Sequence, residues 1–522
     1  MRPLSKSKLM AYRQCPKRVW LEVHHPDLRV DTAASQKSFA IGHQVGEIAQ
    51  QVYDPAGQGT VIEPFAEGID AALALSLTLL DTPQPIFEAG FAAEGAMAFA
   101  DVMLPVPENA QPHTLKSWRM IEVKSSTSIK DYHREDVAVQ AFVARAAAVP
   151  LTAIALAHID NRWTYPGGGD YQGLLVEHDL TDEAFARGAE VQRWIEGAQS
   201  AVAQVTAPAI TISKHCHEPY ACGFYAHCQS QVPQAEHPID WLPGRLSTGV
   251  VRHIANNGIT ELRDVPDHLL NAQQQRVKNV TLTNVAYFDQ QGAAQALAAH
   301  TLPAYFLDFE TIMFAVPIWQ GTRPYQQIPF QFSVHRLSKN SEHTDHVQTQ
   351  LTEQPFIDLS GNDPSEAFAK ALIAACHEPI PIFVYNAGFE KTRISELADR
   401  FPPLAQDLLA LNSRVVDLLP IAREYYYHPS QQGSWSIKAV LPALCPDPDM
   451  NYEKLDGVQD GSMAMSAFVE AIAPQTTPAR KAEIERQLLD YCKLDTYAMV
   501  RLWSAFTGQG GGVAYNLDWF MH

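Results

Sequence analysis

No stretch of this 522-residue chain approaches the roughly 20 uninterrupted apolar residues that a membrane-spanning helix needs. The opening MRPLSKSKLMAYRQCPKR lacks the apolar core of a secretory signal, so a cytoplasmic location and no membrane partner are expected. Cations are scarce: 39 Lys and Arg face 58 Asp and Glu, for a formal net charge of -19. That balance excludes a general cationic coat for nucleic acid, whose non-specific affinity comes from Lys and Arg. No GxxxxGK[ST] loop occurs, so the chain encodes no motor of the P-loop type. Cysteine is sparse as well, and seven cysteines in a reducing compartment do not make a disulfide framework.

What the chain does contain is enough apolar material for two or three domains: 46% hydrophobic and 19% charged residues are ordinary for a globular protein. The cysteines are unevenly placed. Cys216, Cys222 and Cys228 fall in CHEPYACGFYAHC with five residues between successive members, and Cys15 stands alone near the start. Three thiols in a short Gly-, Pro-, His- and Tyr-containing segment suit a loop around a metal centre, and four thiolates complete either an iron-sulfur cluster or a zinc site. Cys376, Cys445 and Cys492 are scattered and read as buried free thiols.

Residues 1–232 form a first expected unit, with helical patterns over Ser7–Val23 and Ser35–Val52, a strand run over 86–105, RMIEVKSS at 119–126, an Ala-rich helix over 136–148 and a strand over 151–160. Residues 233–300 read as short helices joined by tight turns, either a linker packing two domains or an element like a helix-hairpin-helix with NNGIT as the hairpin. Residues 301–522 begin with LPAYFLDFET, followed by strands over 328–337 and 346–353, a helix over 363–376 and the strand PIFVYN. The fold class expected throughout is α/β (α+β).

Each end of the chain carries an acidic constellation. Asp101 and Glu122 on neighbouring strands can converge on one divalent metal, and Lys124, two residues on, points to the same face and can orient water or stabilise developing phosphorane charge. At the other end, Asp308 and Glu310 share a strand face, and Tyr491 and Asp495 in DYCKLD share a helix face. Hard oxygen ligands in both sets imply Mg²⁺ or Mn²⁺.

The first constellation, D…ExK, resembles the PD-(D/E)XK nucleases and, more narrowly, their RecB-like, CRISPR-associated branch. That resemblance implies a metal-ligating role for His43 in IGHQVGEIA, and a [4Fe-4S] cluster, rather than zinc, held by Cys15, Cys216, Cys222 and Cys228. Gln140 matches that branch's glutamine, but Ala144 stands where it has tyrosine. The second constellation resembles DnaQ-like DEDD exonucleases of the ribonuclease H fold, with Asn386 and Glu390 of YNAGFEKTRISELADRF as its second motif. Glu390 stands there where those enzymes carry aspartate, and Asp417 is a supporting acid. The resemblance gives Asp308, Glu310 and Tyr491 catalytic roles, with Glu390 and Asp495 completing the metal set. Together the two resemblances look like a bacterial family of unassigned function, and imply hydrolysis of DNA or RNA, with single-stranded DNA favoured, in repair or anti-phage defence beside a separate helicase or other partner. The competing reading is a cluster-containing scaffold that binds nucleic acid with one or both nuclease domains inactive.

Overall fold

Pro16 decides the shape of the N-terminus. Lacking an N–H and biasing its predecessor towards extended backbone, it splits the expected helix into Lys6–Gln14 and Pro16–His24, with Cys15 extended between them (φ -162°, ψ 119°). A computed structural model of the protein describes residues 3–106, 117–340, 348–447 and 450–509. They divide into two compact units: residues 1–233 with 314–326, and residues 234–313 with 327–522. Both mix helices with sheets, as an α/β composition requires. Among the described residues no helix is long and apolar enough to cross a membrane.

In the first unit the strands are β1 (Leu4–Ser5), β2 (Thr60–Val61), β3 (Ile86–Ala93), β4 (Ala96–Val106), β5 (Ser117–Lys124), β6 (Leu151–Ile159) and β7 (Leu175–Asp179). They form one sheet in the order β2-β3-β4-β5-β6-β7, with β1 also paired to β4. The expected run over 86–105 is a hairpin, turned at Glu94 and Gly95, whose positive φ values of 52° and 79° reverse the chain. β5 pairs antiparallel with β4 and parallel with β6, the crossover being the Asp131–Ala146 helix. Val137, Val143 and Ala144 of that helix are buried against Trp118, Met120 and Leu156 of the sheet in one apolar cluster.

A second apolar cluster of this unit joins Val45, Ile48, Ile159 and Leu174 to Ala315 and Val316, which come from the segment at 314–326. Tyr165 N–H donates to the Thr322 carbonyl (2.9 Å), Gly321 N–H donates to the Tyr165 carbonyl (2.9 Å), and the Tyr325 hydroxyl donates to the carbonyl of Ser125, beside Lys124. Val316 is 1% exposed, so Val316→Asp places an unpaired carboxylate in an apolar site. The expected result is a loss of at least about 3 kcal/mol, read as a lowered midpoint in urea unfolding followed by tryptophan fluorescence.

The second unit contains β8 (Tyr287–Phe288), β9 (Ala304–Ile312), β10 (Ile328–Asn340), β11 (Gln348–Ile357), β12 (Ile382–Val384), β13 (Val415–Asp417) and β14 (Tyr426–Tyr427). Five form a sheet in the order β11-β10-β9-β12-β13, antiparallel across the first three and parallel from β9 through β12 to β13. The strand expected over 346–353 begins with two residues outside the described set and continues to Ile357. The long C-terminal helix, Pro478–Thr507, is tied to β10 by side chains: Gln331 Nε2 donates to the Leu488 carbonyl (2.6 Å), and the hydroxyls of Ser333 and Thr496 meet at 2.8 Å.

Residues 234–300, expected as a linker, cluster with this unit. β8 pairs with β14, and Arg276 donates to the carbonyls of Arg423 and Glu424. The Thr248–Asn257 helix ends at Gly258 in the left-handed region (φ 61°), and after NNGIT the chain runs through two 3₁₀ turns before the next α-helix at Ala272–Thr283. A helix-hairpin-helix with its second helix directly after the turn is therefore not formed.

Candidate active sites

β4, β5 and the helix after them bring Asp101, Glu122, Lys124, Asp136 and Gln140 together. Asp101 Oδ2 accepts from Val123 N–H (2.6 Å), which locks the acid against the strand carrying its partners. Lys124 Nζ lies 2.5 Å from Glu122 Oε1 and also bonds Asp136, while the other Glu122 oxygen accepts from Gln140. Lys6, from the N-terminal helix, adds a second ammonium 2.8 Å from Glu122 Oε1. Burial pushes the Asp101 carboxyl well above its usual range, and neighbouring Glu122 pushes it further. Burial would raise Glu122 too, but Lys124 and Lys6 hold it below the ordinary carboxylate range. Against the same burial, Asp136 and Glu122 keep Lys124 protonated. The site thus offers one carboxyl that favours its proton, one held ionised, and a charged lysine.

His43 lies exposed on the Ala33–Tyr53 helix, near enough to Glu88 to lower that carboxyl's affinity for a proton, although burial and Glu122 raise it overall. His43, Asp101 and Glu122 do not converge as a ligand set: among the described residues, the group of three His, Cys, Asp or Glu side chains with ligand atoms all within 4.8 Å of one another is Asp308, Glu310 and Asp495. Both Glu122 oxygens accept hydrogen bonds, from Lys6, Lys124 and Gln140. Asp136 and Glu88 escaped the sequence reading. Glu88 is the third residue of the expected strand run and has φ 57°, a local irregularity that side-chain alternation does not reveal.

Cys15, Cys216, Cys222 and Cys228 line one small pocket, with Arg18, Leu21 and Phe224 around them. All four are free thiols. Burial raises the Cys15 thiol, while the N–H groups of Arg18 and Lys17, at the start of the second helix, oppose it. Cys222 is likewise raised by burial, and by Cys15 and Cys216 nearby. Gln14 ties the two cysteine segments together, its Nε2 donating to the carbonyls of His215 (2.8 Å) and Tyr220 (2.8 Å).

In the second unit, Asp308 and Glu310 project from one face of β9, the central strand, and Asp495 reaches them from the C-terminal helix. Tyr452 donates to Asp495 Oδ1 at 2.6 Å. Lys438 Nζ sits 4.8 Å and 5.0 Å from the ring centroids of Tyr452 and Tyr491. Burial pushes Glu310 up to about 8, with Asp495 adding to it, and Asp495 up to about 6 against the Tyr452 hydroxyl. Asp308 is raised well above its usual range by burial and by Asp495, Glu310 and Glu390. Burial and the neighbouring acids also push the Tyr491 phenol far up, so it remains a hydrogen-bond donor. Two buried acids and a half-buried one, which repel one another and resist ionisation, are an oxygen donor set matched to a divalent cation.

Glu390, in the first turn of the Gly388–Arg400 helix, is 3% exposed and its Oε2 has no hydrogen-bond partner. Burial, with Asp417, raises it to about 8. It acts on Asp308 through charge but stands outside the three-acid group. Asp417 is structural: its oxygens accept from the N–H groups of Asn386 (2.9 Å), Ala387 (3.1 Å) and Leu419 (2.9 Å). That clamp holds Asn386 at φ 78° and so sets where the helix bearing Glu390 begins. Tyr452 and Lys438 lie in stretches whose sequence carries no spacing signal; only the fold places them.

A family model described as a domain of unknown function (DUF2779) matches residues 305–436, about a quarter of the chain. The match contains Asp308, Glu310 and Glu390 and stops short of Asp495. No curated protein matches the chain.

Proposed function

We propose that the protein is a metal-dependent nuclease with two active sites that hydrolyse phosphodiester bonds in DNA or RNA, from single-stranded ends. The observation that carries this reading is the convergence of Asp308, Glu310 and Asp495 within 4.8 Å, on the central strand of a sheet ordered third-second-first-fourth-fifth. That strand order and direction support a ribonuclease H-like domain, and Tyr491, one helical turn before Asp495, supports the tyrosine-bearing DEDD class. In the first unit, an antiparallel hairpin followed by a parallel strand across a helix supports the PD-(D/E)XK reading of Asp101, Glu122 and Lys124.

In this reading Asp308, Glu310 and Asp495 hold Mg²⁺ or Mn²⁺ in the second unit, and Asp101 and Glu122 do so in the first. Bound there, the ion lowers the pKa of a water and neutralises charge on the phosphate. Tyr491, kept as a phenol, orients the attacking water by donating a hydrogen bond; Lys124, kept as an ammonium, supports the charge that develops on the phosphate. Tyr452 fixes the rotamer of Asp495. In this reading Cys15, Cys216, Cys222 and Cys228, which line one pocket, hold a [4Fe-4S] cluster. The cluster's part here is to join the two cysteine segments.

A binding role for the second unit is favoured by one observation, the unpartnered Glu390 outside the three-acid group. Single-stranded DNA labelled separately at its 5′ and 3′ ends decides. With Mn²⁺ or Mg²⁺, the wild type degrades both, and Lys124→Ala and Asp308→Ala each lose one activity. Loss only in Lys124→Ala makes the second unit a binding module, and no cleavage of DNA or RNA by cluster-loaded protein overturns the proposal. Cys222→Ser is expected to lose the visible absorbance of the cluster and to melt at lower temperature.

A further inference from the structure

An open cleft of about 760 Å³ in the first unit has Lys6, Lys124 and Asp136 among its lining residues. The same cleft is lined by three aromatic rings, Phe39, Tyr132 and Tyr220, and by Arg18 and Arg29. Phe39 is 52% exposed and Tyr220 38% exposed, so two large rings face solvent inside a concave surface. Tyr220 and Tyr132 meet edge to face with centroids 5.9 Å apart, and the Arg18 guanidinium lies 5.3 Å from the Tyr220 centroid. These groups are held by the cysteine segments themselves. Tyr220 lies between Cys216 and Cys222, Arg18 follows Cys15 by three residues, and Gln14 bonds the Tyr220 carbonyl.

The charges restrict what enters. Arg18 is paired with Glu22 (2.9 Å) and Arg29 with Asp31 (2.9 Å), and Asp136 offsets the lysines. Phosphates can therefore exchange for at most a few carboxylate partners, which leaves the rings of Phe39, Tyr132 and Tyr220 as contacts that need no charge exchange. Bases of a duplex are already stacked and present no face to such rings; bases of a single strand do.

We propose that this cleft grips single-stranded nucleic acid, its bases stacking on Tyr220, Tyr132 and Phe39 and its phosphates meeting Arg18 and Arg29, and leads the strand to Lys124. The inference rests on the nuclease reading of the first unit and adds the residues that hold the strand and the way they hold it. Removal of the cysteine-bound group loosens the cleft wall as well as the fold.

Binding of labelled 20-mers to the full-length, cluster-loaded protein in EDTA tests it by fluorescence anisotropy. Single-stranded DNA and RNA of one sequence, an abasic strand of equal length and a duplex serve as probes. The abasic strand, with the same phosphates and no rings, binds at least about tenfold more weakly than DNA or RNA. Phe39→Ala, on an exposed side chain, weakens the base-bearing strands about fivefold or more and leaves the abasic strand unchanged. Tyr220→Leu does the same while cluster absorbance is retained. Two phosphate contacts give a shallow salt slope, about -1.4 in log K against log salt. Equal binding of abasic and base-bearing strands, or of duplex and single strand, overturns the inference. Wild-type cleavage with Mn²⁺ but base-independent binding sinks the grip and leaves the nuclease standing; base-dependent binding without cleavage does the reverse. Comparison of the DNA and RNA arms shows which polymer the cleft prefers.

Discussion

Asp308→Asn is expected to abolish the cleavage proposed for the second unit, by at least about 10³-fold, and at the same time to raise the melting temperature of the metal-free protein. Both effects have one source. Asp308, Glu310 and Asp495 are crowded within 4.8 Å and pushed up by burial and by one another. Without a cation each ionisation is opposed, so a neutral amide relieves the other two acids while removing a ligand.

The pH dependence follows with a definite sign. Glu310 at about 8 and Asp495 at about 6 bind protons in the folded protein that the unfolded chain has already released near its ordinary carboxylate values. At these two groups the folded state therefore holds more protons, and their contribution to metal-free stability is greatest at low pH and falls as pH rises through about 6 and then about 8. A divalent ion reverses the trend, since it displaces those protons and its stabilisation grows over the same window. Thermal melts between about pH 5 and pH 9, in EDTA and in Mn²⁺, separate the two slopes. An Asp308→Asn protein that still shows the wild-type Mn²⁺ shift would mean that the ion binds elsewhere.

Lys124→Ala removes cleavage by the first unit by a comparable factor and leaves the second unit's activity intact. Lys124 bonds both Glu122 and Asp136, but Glu122 keeps Lys6 (2.8 Å) and Gln140 when it goes. Asp136 keeps only the longer approach of Lys6, at 3.5 Å. The stability cost is accordingly about 1–3 kcal/mol rather than the full cost of an orphaned buried charge. Lys6→Ala is the informative control: it leaves Lys124 on both carboxylates and loses little cleavage. End-labelled strands, with urea unfolding alongside, measure the two effects independently. Equal cleavage by Lys124→Ala and wild type at every end would remove the first unit's assigned chemistry.

Period-two alternation made Asp308 with Glu310, and Glu122 with Lys124, readable as same-face pairs, because both sit on regular strands. The one-turn spacing of Tyr491 and Asp495 was readable for the same reason on a regular helix. Lys438 was not readable, because it reaches its site through the packing of a distant segment, and lysines on helices otherwise read as solvated. The break at Cys15 was signalled by Pro16, yet the helical pattern on both sides concealed it. The Glu94–Gly95 reversal interrupts a largely apolar run that otherwise reads as one strand. No local pattern marks residues 314–326 as part of the first unit, since membership there depends on contacts far apart in the chain.

That borrowed segment sets an order of events on the ribosome. Residues 1–233 are complete long before Ala315 and Val316, which share a cluster with Val45, Ile48, Ile159 and Leu174, have been made. About 80 further residues separate the two moments, on the order of 4 to 16 seconds at bacterial or eukaryotic elongation rates of about 5–20 residues per second. For that interval the nascent first unit presents an unfinished apolar face. It is during translation, more than in the finished chain, that this apolar face stands open.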